Sequence, residues 1–187
     1  FRFSEEFPAT AVECGADIVI NSVHKTLPSL TQTAVMHINY GYVNVEKVRR
    51  YWNIYQSTSP SYILMGSIDR CMSIIEKDGK PLFDNYIRRL KELRGRLKQL
   101  KNIKLIESDD ISKIVLGYRS GKELYEVLLK RYGIQLEMSS LKYVIAMTSI
   151  FDEQSNYDRL YNALREIDED DNQDKCMSDE KACVSDG

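Results

Sequence analysis

Apolar positions change their spacing along this chain, and each change marks a different element. "ADIVIN" (16–21) and "AVMHIN" (34–39) are short apolar runs rich in β-branched residues, which predicts two buried strands flanking the segment between them. In "VNVEKVRRYWNIYQ" (43–56), Val45, Val48, Trp52 and Tyr55 recur at helical spacing. A hydroxyl-rich turn around Pro60 follows. "SYILMGSIDRCMSIIEK" (61–77) is apolar around most of its circumference, which suits a helix buried on several sides and closed by "KDGKP". From Pro81 to Lys101 the pattern is one-sided: Phe83, Ile87, Leu90, Leu97 and Leu100 form a stripe on a long amphipathic helix, which is expected to bridge two domains.

Beyond Asn102 the texture becomes strand–helix–strand–helix. "IKLIES" and "SKIVLGYR" read as strands, "GKELYEVLLKRYG" as a helix ending at Gly133, "KYVIAMTSI" as a strand and "SNYDRLYNALREI" as a helix. Ser155 to Asp158 has capping-box spacing and is expected to start that last helix. From Asp168 the chain is acidic and poor in apolar residues, so a disordered tail over 168–187 is expected.

Composition narrows the function classes. With 187 residues, 43% hydrophobic and 29% charged, the chain has the balance of a globular protein able to bury a core. The net charge of -2 divides into -7 from Glu166 onward, nine acidic residues against two lysines, and +5 before it. No basic stripe arises, and nucleic acid is not implied. The four cysteines form no CxxC pair and no metal-ligand spacing, so they read as reduced thiols of a cytoplasmic protein with no metal site. No apolar run is long enough to cross a membrane.

One segment holds unusual chemistry. "NSVHKTLPSLTQTAVMHIN" (21–39) sets Lys25 directly behind His24 within a cluster of hydroxyls. A lysine amine becomes a nucleophile toward a carbonyl where its surroundings disfavour its charge. Position alone favours a blander reading, a solvated surface lysine beside a structural histidine. The wording is more specific. Ser22, His24, Lys25, Thr26, Ser29, Thr31, Gln32, Thr33 and Ala34 stand in the order of the cofactor-attachment signature of the ornithine/lysine/arginine decarboxylases, and the segment resembles it. "YQSTSPSYILMGSIDRC" and "YGIQLEMSSLKYVIAMTSIFDEQSNYDRLYNAL" extend the resemblance, which covers roughly residues 1–167.

The resemblance implies an α/β fold: part of the aspartate-aminotransferase-like large domain of pyridoxal-phosphate enzymes over 1–80, then a linking helix and small α/β subdomain over 81–167. It implies decarboxylation of a basic amino acid, with pyridoxal 5'-phosphate supplying the electron sink. Lys25 would attach the cofactor covalently, Ser22 would offer a hydroxyl to its phosphate, and His24 would contact it. Members of this family form dimers or higher homo-oligomers in which a loop of the neighbouring subunit reaches the phosphate. The Ser57-Thr58-Ser59-Pro60 turn is the candidate, Thr58 first, since hydroxyls donate to phosphate without adding bulk. The same turn also reads as a helix N-cap. Glu137 could face a cationic side chain, or be a surface glutamate.

The family pattern is incomplete here. The Asp-x-Ala-His segment that pairs with the pyridine nitrogen, the upstream phosphate loop and the ring-stacking aromatic would all precede Phe1. The expectation is therefore a chain that holds the cofactor poorly and exposes strand edges prone to aggregation. Its alternative role is a non-catalytic fragment or assembly module. Arginine is preferred over lysine and ornithine only through likeness to the shorter bacterial members.

Overall fold

In a computed structural model, residues 2–56 and 58–184 are described, with side chains through Asp171. The chain divides into two compact units, Phe1–Asn85 with Ser149–Phe151, and Tyr86–Thr148 with the chain from Asp152 onward.

In the first unit, β1 (Ile18–Ser22) and β2 (Ala34–Ile38) pair antiparallel, with Ile18 opposite Ile38 and Ser22 opposite Ala34. Between them the chain makes a single helical turn, α1 (Val23–Thr26). The expected burial of both strands is not observed: Ile20 is 67% exposed, and Ile18 and Met36 are also exposed. A β-branched apolar run is compatible with cover on both faces, but a two-stranded ribbon supplies none itself, and no described residue covers that face. α2 (Val45–Tyr55) begins where the Asn44 side chain accepts from the Lys47 N–H at 2.9 Å. It buries no residue; Trp52 and Tyr55 lie on its exposed surface.

The next helix differs from expectation too. α3 (Tyr62–Leu97) is continuous through Asp78, Gly79 and Pro81, where a stop was expected, and it runs through the boundary between the two units. Its first turns are not buried on several sides, for Tyr62 and Ile63 are mostly exposed. The breakers are tolerated for specific reasons. Pro81 sits on the exposed side, where the carbonyl that loses its helical donor can turn to water. Gly79 is buried against Phe3, and a Cβ there would come within 3.0 Å of that ring. Phe3 in turn stacks on Phe83 at 4.9 Å between centroids, with Phe7 edge-on to the same ring at 5.8 Å.

The second unit is built on a four-stranded antiparallel sheet in the order β3 (Lys104–Ile106), β4 (Lys113–Gly117), β6 (Tyr143–Met147), β5 (Met138–Ser139). α4 (Gly121–Tyr132) and α5 (Gln154–Val184) complete it with the last turns of α3. Alternation sets the buried face: Ile114 pairs with Ala146 and Leu116 with Val144, all buried. Leu90, Leu97 and Leu100 of the expected stripe are buried here, together with Leu124, Leu128, Leu160 and Leu164. Gly133 ends α4 in the left-handed conformation at φ 62°, as its position after the last periodic residue predicts. Ser155 does not start α5, which begins at Gln154; Asp158 instead binds Arg96 at 2.5 Å.

The expected disordered tail over 168–187 differs at its first residues, while 185–187 lie outside the described residues. α5 runs on through Asp168 and Asp171, and both are buried despite the acidic composition. Asp168 accepts from the backbone N–H groups of Lys101, Asn102 and Ile103, at 2.9, 2.5 and 2.9 Å. Asp171 accepts from the Tyr118 hydroxyl at 2.6 Å. The carboxylates thus replace water for donors that burial would strand.

Burial also pushes the phenols of Tyr86, Tyr118 and Tyr157 well above the usual tyrosine range, with the Asp171 hydrogen bond adding to the effect at Tyr118. Above about pH 10 the unfolded chain releases protons from these rings while the folded unit keeps them, so stability falls as pH rises. An alkaline titration followed by tyrosinate absorbance is expected to show late ionisation of these rings together with loss of helix. Smooth ionisation of all tyrosines near the ordinary value, in a chain that stays folded, would contradict it.

Candidate cofactor-attachment site

β1 delivers Ser22 at its last position, in extended backbone, and the chain passes directly into α1. Val23 and Leu27 are buried and anchor this turn, with Leu27 N–H donating to Val23 C=O at 3.1 Å. Two buried residues four apart fix the opposite face outward. His24 is half-buried and Lys25 exposed, while other residues of the same stretch, Asn21, Ser22, Val23, Thr26 and Leu27, line a recess of about 130 Å³.

Ser22 occupies the N-cap position, yet its hydroxyl makes no capping hydrogen bond. His24 is held by its ring: Nδ1 lies 3.0 Å from the Thr33 carbonyl oxygen. A carbonyl only accepts, so Nδ1 carries the proton and Nε2 is the acceptor of the neutral ring. Thr33 is buried, and its carbonyl also receives the Val23 N–H at 3.1 Å.

Ser22, His24 and Lys25 are thus gathered on one turn. Thr58 is not gathered with them: it lies exposed between α2 and α3, and Ser57 falls outside the described residues. Glu137 is exposed immediately before β5, in the second unit. Thr33 belongs to the quoted signature, but its part in fixing His24 is visible only through the fold. Ser67, which bonds the segment after Lys25, lies inside the quoted stretch "YQSTSPSYILMGSIDRC", but nothing in its spacing singles it out.

The donor set suits the lysine end of a pyridoxal-phosphate site. An exposed amine, an imidazole of fixed orientation and an uncommitted hydroxyl lie on one turn, with Ser22 lining the recess, and these are group types that can hold an aldehyde, a ring and a phosphate. No group of three or more potential metal ligands occurs among the described residues, and no described helix is long and apolar enough to cross a membrane.

Solved structures place the fold in a class. The E. coli constitutive lysine decarboxylase superposes with a TM-score of 0.69 at 18% identity, covering 80% of this chain and 28% of that one. The Francisella novicida lysine decarboxylase does so with 0.68 at 20% identity, covering 87% and 28%. The fold is accordingly part of the one these two lysine decarboxylases share.

The family follows from the sequence match: residues 1–156 fit the model of the Orn/Lys/Arg decarboxylase major domain, and the chain belongs to that family. The arginine decarboxylases of Bacillus subtilis and Bacillus anthracis are 29% and 27% identical over 180 residues. Each alignment covers 89% of this chain but only 37% and 36% of the relative, so the chain spans little more than a third of their length.

Proposed function

We propose that this chain is the lysine-bearing portion of a pyridoxal-phosphate-dependent decarboxylase of basic amino acids, with arginine first among arginine, lysine and ornithine. The observation that supports it most directly is the single turn carrying Ser22, His24 and Lys25 beside a recess, in a chain of the decarboxylase family. The Lys25 amine holds the cofactor covalently, the Ser22 hydroxyl donates to its phosphate, and His24 contacts it from a ring orientation fixed by Thr33. Thr58 reaches the phosphate of the neighbouring subunit in a dimer or larger homo-oligomer. Pyridoxal 5'-phosphate, when bound, supplies the electron sink for loss of carbon dioxide. The protein acts in the cytoplasm, in polyamine synthesis.

The exposed apolar surface of Trp52, Tyr55 and Tyr62 favours a second reading, a non-catalytic assembly module. Incubation with pyridoxal 5'-phosphate, borohydride reduction and peptide mass mapping separates the two. Labelling of Lys25 well above Lys47 and Lys80 supports attachment. Labelling of Lys25 no greater than those surface lysines overturns it. Substoichiometric labelling fits the weak retention expected from the sequence, and full occupancy would correct that expectation.

A further inference from the structure

The segment between Lys25 and β2 is tied to α3 at one point. Ser67 is half-buried on the second turn of that helix, and its Oγ accepts the Leu30 N–H at 2.7 Å. The same oxygen lies 3.1 Å from Ser29 Oγ, a hydroxyl pair in which either side can donate. Two consecutive residues are therefore clamped by one hydroxyl.

Leu30 in turn opens a tight turn. Its carbonyl accepts from Thr33 N–H at 3.2 Å and from Thr33 Oγ1 at 2.8 Å. The third residue of that turn is Gln32 at φ 78°, the one described non-glycine residue with positive φ. A turn of this shape favours glycine there, and a glutamine holds it only where its neighbours impose it. The product of the turn is the Thr33 carbonyl, placed to receive both Val23 N–H and His24 Nδ1. A continuous line of hydrogen bonds runs from the α3 hydroxyl to the imidazole beside Lys25.

We infer that Ser67 is a positioning residue: by clamping Ser29 and Leu30 it sets the Leu30–Thr33 turn, and through the Thr33 carbonyl it fixes the tautomer and orientation of His24. Its meaning for catalysis rests on the function proposed above. Its structural effect does not, because the tautomer can be read without cofactor.

The chain has two histidines, His24 and His37, so long-range proton–nitrogen NMR resolves each, with His37→Gln giving the assignment. Spectra are taken above about pH 8, where an ordinary imidazole is neutral. His24 is expected to be predominantly Nδ1-protonated in the native chain and in Ser67→Thr, which keeps the hydroxyl. Ser67→Ala is expected to mix the tautomers, with the Nε2-protonated form rising several-fold, and to lower borohydride labelling of Lys25 while that of Lys47 is unchanged. A merely structural serine would lower the melting temperature and leave the tautomer alone. Should Ser67→Ala fail to fold, Ser29→Ala removes half of the clamp and is expected to shift the tautomer less, in the same direction. An unchanged His24 spectrum in both alanine variants, or in the one that folds, overturns the inference. A shifted tautomer with no preference for Lys25 in any variant would leave the positioning intact and reject the cofactor reading.

Discussion

Replacing Gly121 with alanine is expected to destabilise the α/β unit by about 3 kcal/mol or more, beyond the ordinary cost of an overpacked core. Gly121 is the first residue of α4 and donates its N–H to the Leu141 carbonyl at 3.0 Å, which draws the helix start onto the β5–β6 turn. A Cβ there would stand 2.3 Å from both the Ser140 and the Tyr143 carbonyl oxygens. Both are backbone atoms of a tight turn, where Ser140 N–H bonds Tyr143 C=O at 2.8 Å, so no rotamer change relieves the clash. Its φ is not in the left-handed region; the requirement is the absence of a side chain. Gly95→Ala is the contrast. Gly95 lies in α3, where an added Cβ meets nothing within 4 Å, and the substitution is expected to stabilise by about 0.5–1 kcal/mol through helix propensity. Urea denaturation followed by circular dichroism measures both, and equal midpoints for Gly121→Ala and the native chain would refute the clash.

Asp168→Ala carries the second large effect, about 3–4 kcal/mol. The substitution removes the acceptor of three backbone N–H groups at once, at Lys101, Asn102 and Ile103, and Ile103 is fully buried. Donors left without water or partner cost about 1–3 kcal/mol each, and bonds to a carboxylate sit at the strong end. Asp168→Asn keeps one acceptor oxygen and turns an amide donor toward facing donors, so it is expected to fall between alanine and the native residue. Native-state hydrogen exchange gives the sharper readout. The amides of 101–103 are expected to exchange only with opening of the unit in the native chain, and as an ordinary loop in Asp168→Ala. Unprotected amides in the native chain would show that the carboxylate does not hold them.

Local pattern and tertiary context divide what the sequence made legible from what it did not. The stripe of Leu90, Leu97 and Leu100 and the alternation at Ile114 and Leu116 are periodic, and period reports a buried face directly. The candidate turn is legible as wording, through Ser22, His24 and Lys25 in sequence order. What escaped depends on partners distant in the chain. Gly79 and Pro81 look like a helix end until Phe3 is seen against Gly79. Asp168 looks like the start of a solvated tail until its three donors, more than sixty residues earlier, are in place. The runs at β1 and β2 have the composition of buried strands, but burial is a property of neighbours, and Ile18 and Ile20 are exposed. β5, two residues long, is too short to carry a period at all. Ser67 is one serine among several, distinguished only by the Leu30 amide it meets.

The sheets also differ in how they end. The four-stranded sheet stops at strands of three and two residues, β3 and β5, so its rims offer almost no ladder on which another polypeptide could build. In the two-stranded ribbon, β1 and β2 are each five residues long and each pairs with the other alone among the described residues. Templated growth between copies of this chain would therefore start at the ribbon that carries the lysine turn, and a charged residue or proline on the outer rim of β1 or β2 is the place to block it.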